Sequence, residues 1–260
     1  MNKIAKTKDG TKISYEITGT SPTALLFVHG WLGNAQWWKN QIDYFRETFT
    51  IIRIDLPGHG KSSNENIVFS SKNYALAIKA VIDDVNLPKI ILVGHSMSGA
   101  YSLKASLITA KIKAVILVDT LKNMNQLMSY AQAEELLFAN YRADFDSAVM
   151  KMLPKFLFSK KTPKLIQEQL QIEFLNYPPE FAVKSIEPLY RMDIRTTAKQ
   201  VKVPVRALNS DVTPTNLKSN LHYFIDYKYA NLAGTGHYPM LEKPEEFNSK
   251  LLKILKRLQI

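Results

Sequence analysis

Four short runs made almost wholly of apolar residues recur along this chain: Ala24–Val28, Thr50–Ile54, Ile90–Val93 and Ala114–Val118. A strand with one wet face alternates in polarity. A run that is apolar at nearly every position needs both faces covered, and a parallel sheet held between two helical layers provides that cover. Helical patterns fill the intervals. Trp37, Trp38, Ile42 and Phe45 recur at helical spacing behind Asn34, a good capping residue, and a helix from Tyr74 to Val85 leads through Pro88 into the third run. Thr11–Ile17 alternates instead and reads as an outer strand closed by Gly19 and Pro22. The fold class is α/β, with a mostly parallel central sheet and helices on both faces.

The rhythm breaks after Asp119. From Leu121 to Arg195 only helical periodicity appears, rich in Met, Phe, Tyr and Leu, and about 75 residues without a strand are too many for a simple crossover. They predict an inserted helical cap over the sheet's carboxyl edge. The alternation returns with Val203–Leu208 and a strand at Tyr227–Leu232. A last helix begins after Pro244, with Glu245 and Glu246 in its first turn and Lys253, Lys256 and Arg257 near its end, matching its dipole. The expected division is a core of residues 1–120 and 196–260, with a cap (lid) at 121–195 after the sixth strand.

Charge and composition exclude several classes. The 34 basic and 23 acidic residues leave a net +11, but the lysines run from Lys3 to Lys256 without clustering. The densest group, Lys160, Lys161 and Lys164, lacks the interleaved aromatics of a single-strand binding surface, so no nucleic-acid partner is expected. The first residues hold no apolar secretory segment and the chain no membrane-length apolar stretch, so a cytoplasmic protein without a membrane partner is expected. With no cysteine and five dispersed histidines, neither disulfides nor a metal site is expected. Gly58-His59-Gly60-Lys61-Ser62 has the end of a phosphate loop, but Asp55 stands where its first glycine belongs, and no cofactor is expected. The sequence assigns no oligomeric state.

Chemistry gathers where the strands end. Directly after Ile90–Leu92 comes Val93-Gly94-His95-Ser96-Met97-Ser98-Gly99, a serine between small residues at a strand-to-helix junction. Such a turn needs small neighbours two positions either side and lifts the serine Oγ above the sheet. Ser98 departs from the usual glycine of G-x-S-x-G but is still small. A serine nucleophile needs a base, an orienting acid and oxyanion donors. Of the histidines at 29, 59, 95, 222 and 237, His237 suits the base, because it lies in the glycine-flanked loop after the last strand.

His29-Gly30-Trp31, the segment Asp55 to Ser62, Gly94 to Gly99, and Gly236-His237-Tyr238-Pro239 continuing to Phe247 occur in an order that resembles the α/β-hydrolase fold family, across nearly the whole chain. The insertion is similar to that of its small cap-bearing esterases, lactonases, C–C bond hydrolases and cofactor-free haloperoxidases. The resemblance implies Ser96 as nucleophile, His237 as base, and the backbone N–H groups of Trp31 and Met97 as the oxyanion hole, with His29 and Asp55 holding loops. It points to Asp211, after the seventh strand, as the acid, although Ser210 stands where glycine is common and the interval is short. Asp119, at the end of the sixth strand, is the alternative. The expected activity is a serine esterase or lactonase acting through an acyl-enzyme on a small, mostly apolar ester. Trp31, Met124, Leu127, Met128 and Phe138 are expected to line its pocket. A C–C hydrolase or perhydrolase on the same residues, or a non-catalytic small-molecule receptor, are the alternatives.

Overall fold

The computed structural model describes residues 2–63, 65, 67–258 and 260. Its strands are β1 (Asn2–Lys6), β2 (Lys12–Thr18), β3 (Thr23–Val28), β4 (Thr50–Ile54), β5 (Lys89–His95), β6 (Ile112–Val118), β7 (Val205–Ser210) and β8 (Tyr227–Leu232). They form one sheet in the order β1-β2-β4-β3-β5-β6-β7-β8. The pairs β1·β2 and β2·β4 are antiparallel, and every pair from β4 to β8 is parallel. The four apolar runs are the central strands β4, β3, β5 and β6, and all five residues of β4 are buried. β1 escapes the sequence pattern because it is short, lysine-flanked and exposed except at Ala5.

Helices α1 (Lys39–Phe45), α2 (Ser71–Val85) and α3 (Met97–Ser106) connect the central strands. α2 starts three residues before its apolar pattern does, because Ser70 caps it by accepting a 3.0 Å hydrogen bond from the Asn73 N–H. It ends where Asn86 turns left-handed at φ 54°. Tyr74, Ala77, Ile78, Val81 and Ile82 form its buried face. α3 stops at Ser106, and Leu107 and Ile108 beyond it are exposed.

Between β6 and β7 the described residues form helices and loops but no strand. The helices are α4 (Tyr130–Ala133), α5 (Ala139–Ala143), α6 (Phe145–Ser147), α7 (Pro154–Leu157), α8 (Lys164–Leu175), α9 (Pro179–Tyr190) and α10 (Ile194–Gln200). Two π-helical segments, Glu134–Phe138 and Ala148–Met152, interrupt the run. The first helix begins at Tyr130, later than the expected Leu121. Side chains from the connections between strands tie the insertion down: Trp31 Nε1 donates to Ala182 O (2.8 Å), Trp37 Nε1 to Glu173 Oε2 (2.6 Å) and Tyr74 Oη, on α2, to Ser185 O (2.9 Å). After β7 come α11 (Leu217–Tyr223), α12 (Pro239–Glu242) and α13 (Pro244–Lys256), the last with its charges arranged as the sequence predicts.

The connection from β3 runs to β4 on one side, and the next strand, β5, lies on the other side of β3. This reversal is a topological switch point, where open parallel sheets bind ligands beyond their carboxyl ends. His29 and Ser96 follow those ends.

Candidate active site

Ser96 sits between β5 and α3 at φ 55° and ψ −125°. A non-glycine residue in that conformation stores on the order of 1–3 kcal/mol of strain and persists only where its surroundings fix it. Here the Ser96 N–H donates to Val118 O and its carbonyl accepts from the Gly99 N–H, both at 3.0 Å. The small neighbours are a packing requirement. A Cβ on Gly94 would lie 2.6 Å from Ser102 Oγ and from the Ser98 carbonyl oxygen. Ser98, buried, uses its hydroxyl to donate to the His29 carbonyl, so the residue that departs from glycine ties the serine turn to the loop after β3.

The loop carrying His237 is fixed on three sides. Its own N–H donates to Leu157 O in the helical insertion (2.7 Å). The Glu242 carboxylate accepts from the N–H groups of Gly236 (2.7 Å) and Tyr238 (3.1 Å) and from Thr162 Oγ1 (2.7 Å), bracketing the histidine. The His237 carbonyl accepts from Nε2 of His95, the residue before Ser96, at 2.7 Å, and the two imidazoles lie 4.7 Å apart. His237 is thereby brought beside the serine turn.

Of the two aspartates, the structure places Asp119 against the histidine. His237 Nδ1 and Asp119 Oδ2 are 2.7 Å apart. Asp211, favoured by the sequence, lies in an exposed turn where its carboxylate accepts from the Gly234 N–H at 2.9 Å. The short interval explains this: β7 continues through Ser210, so Asp211 is the first residue past the strand and faces solvent. Asp119, at φ 47°, is nearly buried and holds its other oxygen against Lys122 Nζ and the Ser210 N–H, each at 2.7 Å. Burial works against its charge, but the hydrogen bond and charge of His237 and the ammonium of Lys122 outweigh it and hold the carboxyl well below the usual carboxylate range.

The other loop histidines are buried and neutral. His29 donates from Nδ1 to Gly30 O (2.7 Å) and accepts at Nε2 from the Leu56 N–H (3.0 Å); burial takes its pKa down to about 4. Burial takes His59 and His95 to about 3. Asp55 accepts from the N–H groups of Ala35 (2.7 Å) and Lys61 (2.9 Å). His29 and Asp55 thus knit the loops after β3 and β4 together. The Gly30 carbonyl is engaged by His29, which fixes the Gly30–Trp31 peptide plane. The N–H groups of Trp31 and Met97, both residues buried, have no acceptor among the described residues.

A cleft of about 850 Å³ opens beside Asp119 and His237, walled by Leu127, Met128, Phe156, Tyr190, Val212 and Pro214 among others. Two of the five side chains expected to line a pocket, Leu127 and Met128, are in this wall. Met124 and Phe138 are fully buried in the core, and the Trp31 ring stacks on Tyr141 (5.2 Å) near Phe174 (5.8 Å). A second cavity, of about 490 Å³, lies between the β1–β2 turn and α2 and contains none of the candidate catalytic residues. No group of acidic residues and histidines among the described residues is arranged to hold a metal ion, and no helix among them is long and apolar enough to cross a membrane. Sequence reasoning missed Lys122 and Glu242; a lysine three residues after Asp119 and a glutamate five after His237 were the available signals.

Among curated relatives, the chain is 27% identical over 253 residues to Pimeloyl-[acyl-carrier protein] methyl ester esterase of Wigglesworthia glossinidia brevipalpis, over 92% of this chain and 95% of that one. It is 20% identical over 262 residues to 3-oxoadipate enol-lactonase 2 of Acinetobacter baylyi, over 98% and 97%. Among solved structures, an esterase from Exiguobacterium antarcticum matches 98% of this chain and 100% of its own with a TM-score of 0.85 at 21% identity, a likeness of fold. A family model described as alpha/beta hydrolase fold matches residues 23–171, more than half of the chain. By its sheet, its serine turn and that match, the chain belongs to the alpha/beta hydrolase fold family.

Proposed function

We propose that this chain is a serine hydrolase that cleaves a small, mostly apolar carboxylic ester or lactone through an acyl-enzyme, with Ser96, His237 and Asp119 as its triad. The observation that carries the reading is the 2.7 Å contact of Asp119 Oδ2 with His237 Nδ1, in a loop that His95 holds beside Ser96. A carboxylate on Nδ1 keeps the proton there and leaves Nε2 as a base. Nε2 takes the Ser96 proton as Oγ attacks the acyl carbon, and Asp119 stabilises the resulting imidazolium. The Trp31 and Met97 N–H groups, without acceptors among the described residues, receive the oxyanion, helped by the N-terminal position of Met97 on α3. The imidazolium then gives its proton to the leaving alcohol. In deacylation His237 takes a proton from water, which attacks the acyl carbon, and Ser96 recovers its hydrogen.

Leu127, Met128, Phe156, Tyr190, Val212 and Pro214 give the cleft an apolar portion beside the polar Asn123, Gln126, Thr213 and Asn216, which supports a small, mostly apolar acyl or alcohol group, and the helical insertion, contributing Met128, Phe156 and Tyr190, serves as its cap. The esterase and lactonase relatives favour an ester bond over the other chemistries open to this triad. The test is hydrolysis of short-chain p-nitrophenyl esters and simple lactones by the chain and by Ser96→Ala. Loss of about 10³-fold or more in kcat is expected from the variant, and unchanged turnover would refute the role of Ser96.

A further inference from the structure

Asp119 does not face His237 alone. Lys122 Nζ lies 2.7 Å from Asp119 Oδ1, donates to Ser210 Oγ (2.9 Å) and reaches Ser210 O (3.3 Å), with its side chain only 12% exposed. The Ser210 N–H completes the arrangement on Oδ1. Ser210, which stands where the family usually has glycine, thus anchors the ammonium on the acid. A buried lysine in an ion pair with the carboxylate that orients a general base changes what the base experiences. One carboxylate oxygen is neutralised, the other is aimed, and a fixed positive charge sits behind the imidazole.

We propose that Lys122 is a positioning residue of this site: its ammonium locks Asp119 with Oδ2 on His237 and extends the working range of the base to lower pH. The proposal rests on the Ser96, His237 and Asp119 reading above. Its logic is electrostatic. Catalysis fails in acid when the base is already protonated, and a cation held on the far oxygen of Asp119 opposes a second positive charge on His237. The other groups facing His237 do not supply this effect. His95 is neutral, Glu242 is engaged by the loop N–H groups and Thr162, burial keeps the Tyr238 phenol in its neutral form, and Tyr190, in the cleft wall, is likewise pushed up to about 12. Among the described residues that face His237, Lys122 is the fixed cation on its acid.

The experiment is the pH dependence of kcat/KM for a p-nitrophenyl ester in the wild-type chain, Lys122→Gln and Lys122→Arg. Gln can still bridge Asp119 and Ser210 but removes the charge; Arg keeps the charge. The acid limb is expected to move up by about one pH unit in Lys122→Gln, so that kcat/KM on that limb falls about tenfold relative to wild type, and to stay in place in Lys122→Arg. An unmoved limb in Lys122→Gln, whatever its melting temperature, overturns the proposal, as does an equal shift in both variants. Asp119→Asn separates the two readings. Should it keep full activity, the triad assignment fails; should it lose activity while Lys122→Gln keeps the wild-type limb, only the role of Lys122 fails.

Discussion

Lowering the pH from 7 to 5 is expected to remove about 5 kcal/mol of folding stability, through three histidines that chemistry leaves uncharged. His29, His59 and His95 are buried, with folded pKa values of about 4, 3 and 3 against an ordinary 6.5. Because folding lowers these values, the unfolded chain binds the protons first. The stability they hold is fully present above pH 6.5 and is lost as pH falls toward 3 to 4. At pH 5 each unfolded histidine is almost wholly protonated and each folded one is not, a difference of just under ~2 kcal/mol per residue relative to pH 7. Against a total of roughly 5–15 kcal/mol this is a large share. Urea unfolding midpoints at pH 7, 6 and 5 measure it, and the slope between pH 6 and 5 should correspond to uptake of nearly three protons on unfolding. His59→Asn should reduce that uptake by about one. A slope of one proton or fewer in the wild-type chain would refute the argument, because the histidines would then be titrating in the folded state.

Other consequences are local. Gly94→Ala should destabilise the fold by about 1–3 kcal/mol in chemical denaturation, since the added Cβ meets the Ser98 carbonyl at 2.6 Å and backbone cannot give way cheaply. Ser98→Ala leaves the buried His29 carbonyl without its hydroxyl donor; a loss of about 1–3 kcal/mol is expected, together with lower kcat and little change in KM as the Trp31 N–H loosens. Glu242→Ala removes two hydrogen bonds from the His237 loop, those of the Gly236 and Tyr238 N–H groups, and a third from Thr162 of the insertion. It should lower kcat about tenfold or more on p-nitrophenyl esters, and an unaltered kcat would show that the loop holds itself.

The central sheet was legible because burial on both faces forces continuous apolar runs, and β3, β4, β5 and β6 fall where those runs lie. β1 was not, because an edge strand with one buried residue leaves no pattern. Ser96 and His237 could be read from their turns, whose small residues are steric requirements of the loops that carry them. The neighbour of His237 could not be read this way. Whether the chain after β6 or after β7 faces the histidine depends on a left-handed residue at Asp119 and on how far β7 continues, and neither leaves a pattern in composition or periodicity. The pocket side chains misled for a related reason: Met124 and Phe138 have the apolar character of a binding wall and of a core alike, and packing puts them in the core.

The central claim is that Ser96 is activated by His237 under the direction of Asp119, and the rate at which a fluorophosphonate probe labels Ser96 in Asp119→Asn and Asp211→Asn tests it most directly. Asp119→Asn should slow labelling by about 10³–10⁴-fold, as loss of the orienting carboxylate does to a serine triad, while Asp211→Asn labels within about twofold of the wild-type chain, the small effect expected of an exposed surface position. The reverse pattern, or rapid labelling of Asp119→Asn, would contradict the account.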